Sequence, residues 1–224
     1  MSAGNQHVDK PRLARLLVDS GAVRFGEFTT KSGRISPYFI NLGAIHGGDQ
    51  LAALAECYAR GIAEHFADER PDCLFGPAYK AIPLAVTAAV SAARLSGRPF
   101  TYSFNRKEAK QHGESGILVG REPERTDRVL IIDDVVTDGG AKREAVELLR
   151  ANSSAPIVGL LIAVDRMERG SGRLSALAEL QAEFGFKARA LISIEELVEM
   201  VPVAPDHRIA VRRHLDRYRA AETF

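Results

Sequence analysis

Apolar residues Leu13, Leu16 and Leu17 fall on one helical face between Asp9 and Val18, and Gly21 supplies a stop, so the chain is expected to open on a helix. The next stretch, VRFGEFTTKSGRISPYFINLG, gives up that period for short aromatic and β-branched runs separated by Ser32, Gly33 and Pro37. This predicts a small hairpin-like unit, a hood over approximately residues 1–45 beside the main domain. Leu51, Leu54, Ala55, Tyr58 and Ile62 then mark one face of a long amphipathic helix reaching about His65. Beyond it a strand and helix alternation begins. The apolar run Cys73 to Phe75 is followed by a helix-like run to Leu95, and Pro99 to Phe104 reads as another strand. Strands at Arg128 to Ile132, Ile157 to Val164 and Ala188 to Ile192 enclose helices at Ala141 to Arg150 and Leu174 to Phe184. Units of this length predict an α/β fold with a mainly parallel sheet flanked by helices, in one domain over residues 1–224, with ligands gathering at the carboxyl ends of the strands. The tail from Asp206 to Ala220, rich in arginine on one side, reads as a solvated surface helix.

Composition narrows the function more than the fold. Lysine plus arginine (30) nearly balances aspartate plus glutamate (29), so there is no global field to favour nucleic acid or an anionic membrane, and any basic site must be local. Even the arginine-rich tail is diluted by Asp206, Asp216 and Glu222. The start, MSAGNQHVDKPRLARLLVDSG, carries charges inside its apolar stretch and lacks the hydrophobic segment of a signal peptide or membrane span, which makes a cytoplasmic protein the expectation. Cys57 and Cys73 show no paired metal-ligand spacing and read as ordinary buried small residues.

The segment RVLIIDDVVTDGGAKREAVELL carries the most chemistry. A buried strand ends in Asp133 and Asp134, crosses a turn containing Thr137, Gly139 and Gly140, and enters a helix. Glycines let backbone N–H groups approach an anion, and the helix start adds unpaired N–H groups and the positive end of its dipole, so this is a phosphate-site design. Two carboxylates directly before such a loop would repel phosphate and need another partner: ribose hydroxyls, an associated magnesium ion or a developing positive charge. A ribose phosphate satisfies all of these.

Here the chain resembles the type I phosphoribosyltransferases, whose signature is a hydrophobic strand, two acidic residues and a loop containing threonine and glycine. Four further segments, FTTKSGRISPYFIN, FGPAYKAIPLA, FNRKEAKQHGESGILVG and VDRMERG, resemble the orotate-specific branch and occur in its order. Asp138 and Gly140 depart from it, standing where many relatives carry a small apolar residue and a threonine; Ile40 and Ala81 often correspond to Phe and Gly.

The resemblance implies a type I phosphoribosyltransferase fold and transfer of the phosphoribosyl group from 5-phosphoribosyl 1-diphosphate (PRPP) to orotate, giving orotidine 5'-monophosphate and diphosphate. It places PRPP against Lys31, Tyr79, Lys80, Arg106, Lys107, Lys110 and His112. The continuous run Asp133, Asp134, Val135, Val136, Thr137, Asp138, Gly139, Gly140 and Ala141 would hold its ribose and 5'-phosphate. Orotate would meet Phe39, Ile40, Thr137 and Arg166, with Phe39 and Ile40 flanking the ring and the planar fork of Arg166 reading a carboxylate or imide edge. Lys110, His112, Asp133 and Asp134 would be catalytic. The cations among glycines in approximately 105–120 suit a mobile lid that closes over the departing diphosphate, in the family reaching the neighbouring subunit of a dimer. Magnesium would arrive with PRPP rather than be held mainly by the protein. A purine-specific relative is opposed by KSGR, PYFIN and DRMERG, and a non-catalytic PRPP-sensing regulator by the complete set of lid cations. A fused decarboxylase barrel is not expected within 224 residues.

Overall fold

The computed structural model describes residues 7–30, 33–107, 116–170 and 172–221. Helix α1 (Lys10–Asp19) starts with the Asp9 side chain capping the Arg12 N–H and Pro11 in its first turn, and packs Leu13 and Leu17 inward. Strands β1 (Val23–Thr29) and β2 (Ile35–Ile40) pair antiparallel as a separate two-stranded sheet, which is the hood. Helix α2 (Gly48–His65) follows, then β3 (Cys73–Gly76), α3 (Ala81–Ser96), β4 (Thr101–Asn105), β5 (Leu118–Gly120), β6 (Val129–Val135), α4 (Gly140–Asn152), β7 (Ile157–Asp165), α5 (Ala176–Phe184), β8 (Lys187–Ser193), α6 (Ile194–Met200) and α7 (Pro205–Tyr218).

The main sheet has the order β5-β4-β3-β6-β7-β8, parallel except for β5, which pairs antiparallel with β4. Its strands read as unbroken apolar runs because both faces are covered. Leu130 and Ile132 of β6 pack towards α1, α2, α3 and the hood, while Val129 and Ile131 pack towards α4 and α5. Gly76 is required by packing: a Cβ there would lie 2.4 Å from the Ala81 carbonyl oxygen, so β3 could not approach the start of α3 so closely.

Three sequence expectations change. Residues 118–120, expected to belong to the lid, form the antiparallel edge strand β5. Helix α6 escaped the periodicity reading because it has only 7 residues, although its capping box between Ser193 and Glu196 was legible. The tail helix α7 is not simply solvated: Val211, His214 and Leu215 are buried, and its end ties back to the chain after β7, with Arg169 N–H donating to the Tyr218 carbonyl at 2.8 Å. Among the described residues no helix is long and apolar enough to cross a membrane.

Candidate active site

Parallel pairing gathers the chemistry at one end of the sheet. Val135 of β6 sits beside Val164 of β7, so the acidic pair with its following loop and Arg166 leave the sheet side by side. Successive strand residues face opposite ways, and this separates the two aspartates. Asp133 continues the Val129 and Ile131 row towards α4, where its Oδ2 lies 2.5 Å from Lys142 Nζ; both side chains are buried. Its Oδ1 accepts the Asp134 N–H at 2.8 Å, and the hydroxyl of Tyr58 on α2 donates to its carbonyl at 2.7 Å. Burial pushes the Asp133 carboxyl above its ordinary value; the Lys142 ammonium opposes this, and the neighbouring Asp134 charge adds to it. Asp134, also buried, accepts the Val135 N–H at 2.7 Å and has no ion-pair partner among the described residues.

Lys142 was missed from sequence. It occupies the inward stripe of α4 with Ala145, Val146 and Leu149, and the recoverable signal was a lysine at a position whose i+3, i+4 and i+7 neighbours are all apolar.

The turn from Val136 to Ala141 is a loop-to-helix cradle. Val136 points into the core and can offer only backbone, whereas Thr137 and Asp138 are exposed. Gly139 takes φ +82, the left-handed region that glycine adopts without steric cost, and a Cβ there would meet Arg143 Nη1 at 2.7 Å. Gly140 is different: a Cβ would make only ordinary contact with Asp138 at 3.5 Å, so the threonine expected of many relatives would fit. The Asp138 carboxylate accepts the Gly140 N–H at 3.0 Å and so occupies one of the donors the cradle offers to an anion.

Around this turn the structure brings several expected residues together. After β3, Tyr79 is exposed and Lys107 Nζ lies over its ring, 4.4 Å from the centroid. Lys80 Nζ donates to Asn41 Oδ1 of the hood at 3.0 Å, and Ala78 N–H donates to Asn105 Oδ1 at 2.9 Å, two asparagines the sequence reading left without a role. Arg106 uses Nη1 on the Gly116 carbonyl at 3.0 Å. Lys31, Lys110 and His112 lie outside the described residues.

The hood turns one expected pair of side chains to opposite sides. Ser36, Tyr38 and Ile40 of β2 point into the protein, while Phe39 faces the other way, tilted against Phe28 at 5.5 Å with Arg24 over its ring. Side chains of adjacent strand residues cannot both flank one flat ring from the same face, and Ile40 is a core residue of the hood. Arg166, by contrast, sits where expected but is buried and engaged: Nη2 donates to Glu168 Oε1 at 2.6 Å and to Ser36 Oγ at 3.2 Å.

An acidic strand end, a glycine cradle at a helix start and cations from neighbouring strand ends are what a phosphorylated sugar requires. The class follows from the comparison that covers this core: residues 41–176 match the phosphoribosyl transferase domain family. The chain is 50% identical over 184 residues to an orotate phosphoribosyltransferase of Thioalkalivibrio sulfidiphilus, covering 82% of this chain and 84% of that protein. It is 46% identical over 209 residues to that of Pseudomonas fluorescens, covering 92% and 94% respectively. The crystal structure of the Francisella tularensis orotate phosphoribosyltransferase superposes with a TM-score of 0.78 at 34% identity, covering 92% of this chain and 98% of that one. The chain belongs to the orotate phosphoribosyltransferase family.

Proposed function

We propose that this chain transfers the phosphoribosyl group of PRPP to orotate, releasing diphosphate and forming orotidine 5'-monophosphate. The observation that carries this is the side-by-side exit of the acidic pair and Arg166 from β6 and β7; in this reading the first serves the ribose and the second the base. The orotate ring nitrogen attacks the anomeric carbon as diphosphate departs, and positive charge develops on the ribose. Asp134 holds the ribose from β6 and places a negative charge near that developing cation, while the cradle from Thr137 to Ala141 anchors the 5'-phosphate. Tyr79, Lys80, Arg106 and Lys107, with Lys31, Lys110 and His112, take the diphosphate; Lys110 or His112 supplies its proton. Thr137, the free edge of β2 at Phe39 and Ile40, and Arg166 take the base.

No cluster of three or more acidic, histidine or cysteine ligands exists among the described residues, and Asp133 is occupied by Lys142. That donor set fits a magnesium ion carried by the substrate's oxygens with Asp134 as the one available carboxylate of the pair. When bound, such an ion would supply positive charge to the diphosphate. A homodimer with shared lids, in the cytoplasm and without nucleic-acid or membrane partners, completes the reading.

Loss of the orotate ultraviolet band tests it. The band should fall only when PRPP is present, and Arg166→Ala should raise the orotate KM by about ten- to a hundredfold, the effect of losing a charged hydrogen bond, with little change for PRPP. Equal effects on both substrates would remove Arg166 from the base site, and PRPP-independent loss would remove the activity.

Asp138 provides a separate expectation. Its carboxylate sits on a cradle N–H and repels phosphate, so Asp138→Ala should lower the PRPP KM, by about three- to tenfold given solvent screening at this exposed position. Titration of PRPP at fixed orotate measures this; an unchanged or higher KM means that Asp138 turns away or helps when substrate binds.

A further inference from the structure

A guanidinium that reads a flat substrate edge must be held in plane, because a freely rotating arginine loses the geometric advantage of its fork. Arg166 commits both hydrogens of Nη2, one to Glu168 and one to Ser36, and its guanidinium lies over the Tyr38 ring, 4.6 Å from the centroid. Nε and Nη1 have no hydrogen-bond partner among the described residues, so donors on either side of the committed Nη2 remain for a ligand.

The charged contact of Nη2 converges with two others on a single atom. Oε1 of Glu168 accepts from Arg166 Nη2 at 2.6 Å and from the Tyr38 hydroxyl at 2.6 Å, and lies 3.0 Å from Nε2 of His214 on α7. An ionised carboxylate only accepts, so Nε2 carries the hydrogen. Burial would push the Glu168 carboxyl up, but the His214 bond, the Arg166 charge and the Tyr38 bond outweigh it and hold the carboxyl at about 2. Glu168 is therefore a charged anchor at neutral pH. The backbone is held as well: Glu168 bridges to Arg219, and Ala220 N–H donates to the Met167 carbonyl at 3.0 Å. Met167 itself takes φ +58, with its N–H bonded to Asp165 Oδ1 at 2.8 Å. A left-handed residue with a side chain persists only where its surroundings determine it, and here the tail helix and its C-terminal extension supply them.

We propose that Glu168, Tyr38 and His214 are positioning residues that lock the Arg166 guanidinium through Nη2 with its Nη1 donors left to the base, which makes the tail helix α7 a determinant of base recognition. The inference rests on the assignment of Arg166 to the base in the preceding subsection. None of the three residues touches the reacting atoms; each acts through Arg166, so its effect must disappear when Arg166 is absent.

Steady-state kinetics of the full chain test this with Glu168→Gln, His214→Ala, His214→Gln and Tyr38→Phe, each made alone and with Arg166→Ala. Glu168→Gln and His214→Ala should raise the orotate KM by about tenfold while moving the PRPP KM by less than about twofold. His214→Gln keeps an amide donor for Glu168 and should restore most of the loss. In the Arg166→Ala background each added substitution should change the orotate KM by less than about twofold, because there is nothing left to position. Unchanged orotate KM in folded Glu168→Gln and His214→Ala overturns the proposal, as does an equal loss in the Arg166→Ala background or a joint decline of kcat and both KM values. If either variant does not fold, Tyr38→Phe, which removes one hydroxyl and keeps the ring, decides the same comparison at about threefold. Should Arg166→Ala alone leave the orotate KM unchanged, the base-site assignment fails and the lock with it. Should Arg166→Ala raise it while the other variants do not, only the lock fails.

Discussion

Asp134→Asn should lower kcat by about a hundredfold or more with native folding, since an amide cannot supply the negative charge that a cationic ribose requires at the moment of bond breaking. The choice of Asp134 alone comes from the structure. From sequence the two aspartates look equivalent, and replacing both would be expected to spare the fold. Asp133, however, is the buried partner of Lys142, and its amide would leave an uncompensated ammonium inside the protein, which typically costs about 3–5 kcal/mol. An Asp133→Asn variant can therefore lose activity through unfolding, and pairing it with Lys142→Met separates the two effects. Near wild-type kcat in folded Asp134→Asn would reject the ribose role, and thermal melts of the Asp133 variants with and without Lys142→Met would show the stranded charge.

A second large effect is expected from mixing two dead enzymes. If the lid of one subunit serves the neighbouring site, Lys110→Ala and Asp134→Asn homodimers each lack one component at every site and should both be nearly inactive. In a hybrid, one site receives the intact Asp134 of one chain and the intact Lys110 of the other, while the second site carries both defects. With random pairing about half the dimers are hybrids with one working site of two, so activity should recover to roughly a quarter of wild type. The measurement is turnover after subunit exchange, with hybrid formation verified by differently tagged chains. A verified hybrid without recovered turnover means that each lid closes over its own subunit or that Lys110 is not catalytic.

Much of this protein is legible in its sequence. Strand and helix alternation from Cys73 to Ile192 specifies a parallel sheet because side chains buried on both faces leave continuous apolar runs, and the break of that run at Asp133 and Asp134 marks the strand end where ligands gather. The glycine turn is legible because left-handed backbone selects its residue locally, as Gly139 shows. The resemblance to the family, rather than any local signal, singles out Tyr79, Lys80, Lys107 and Arg166, which the fold then brings to one end of the sheet. The tertiary structure alone decides which carboxylate is free, because the facing of Asp133 and Asp134 depends on which helix packs behind each face of β6, and Lys142 is nine residues further along the chain than Asp133. It alone separates Phe39 from Ile40, since strand pairing in the hood sets which side chain is core. Only tertiary structure, too, joins the tail helix to the site. His214 and Glu168 lie 46 residues apart in sequence, and no periodicity within either segment encodes a contact that exists only once the chain has closed on itself.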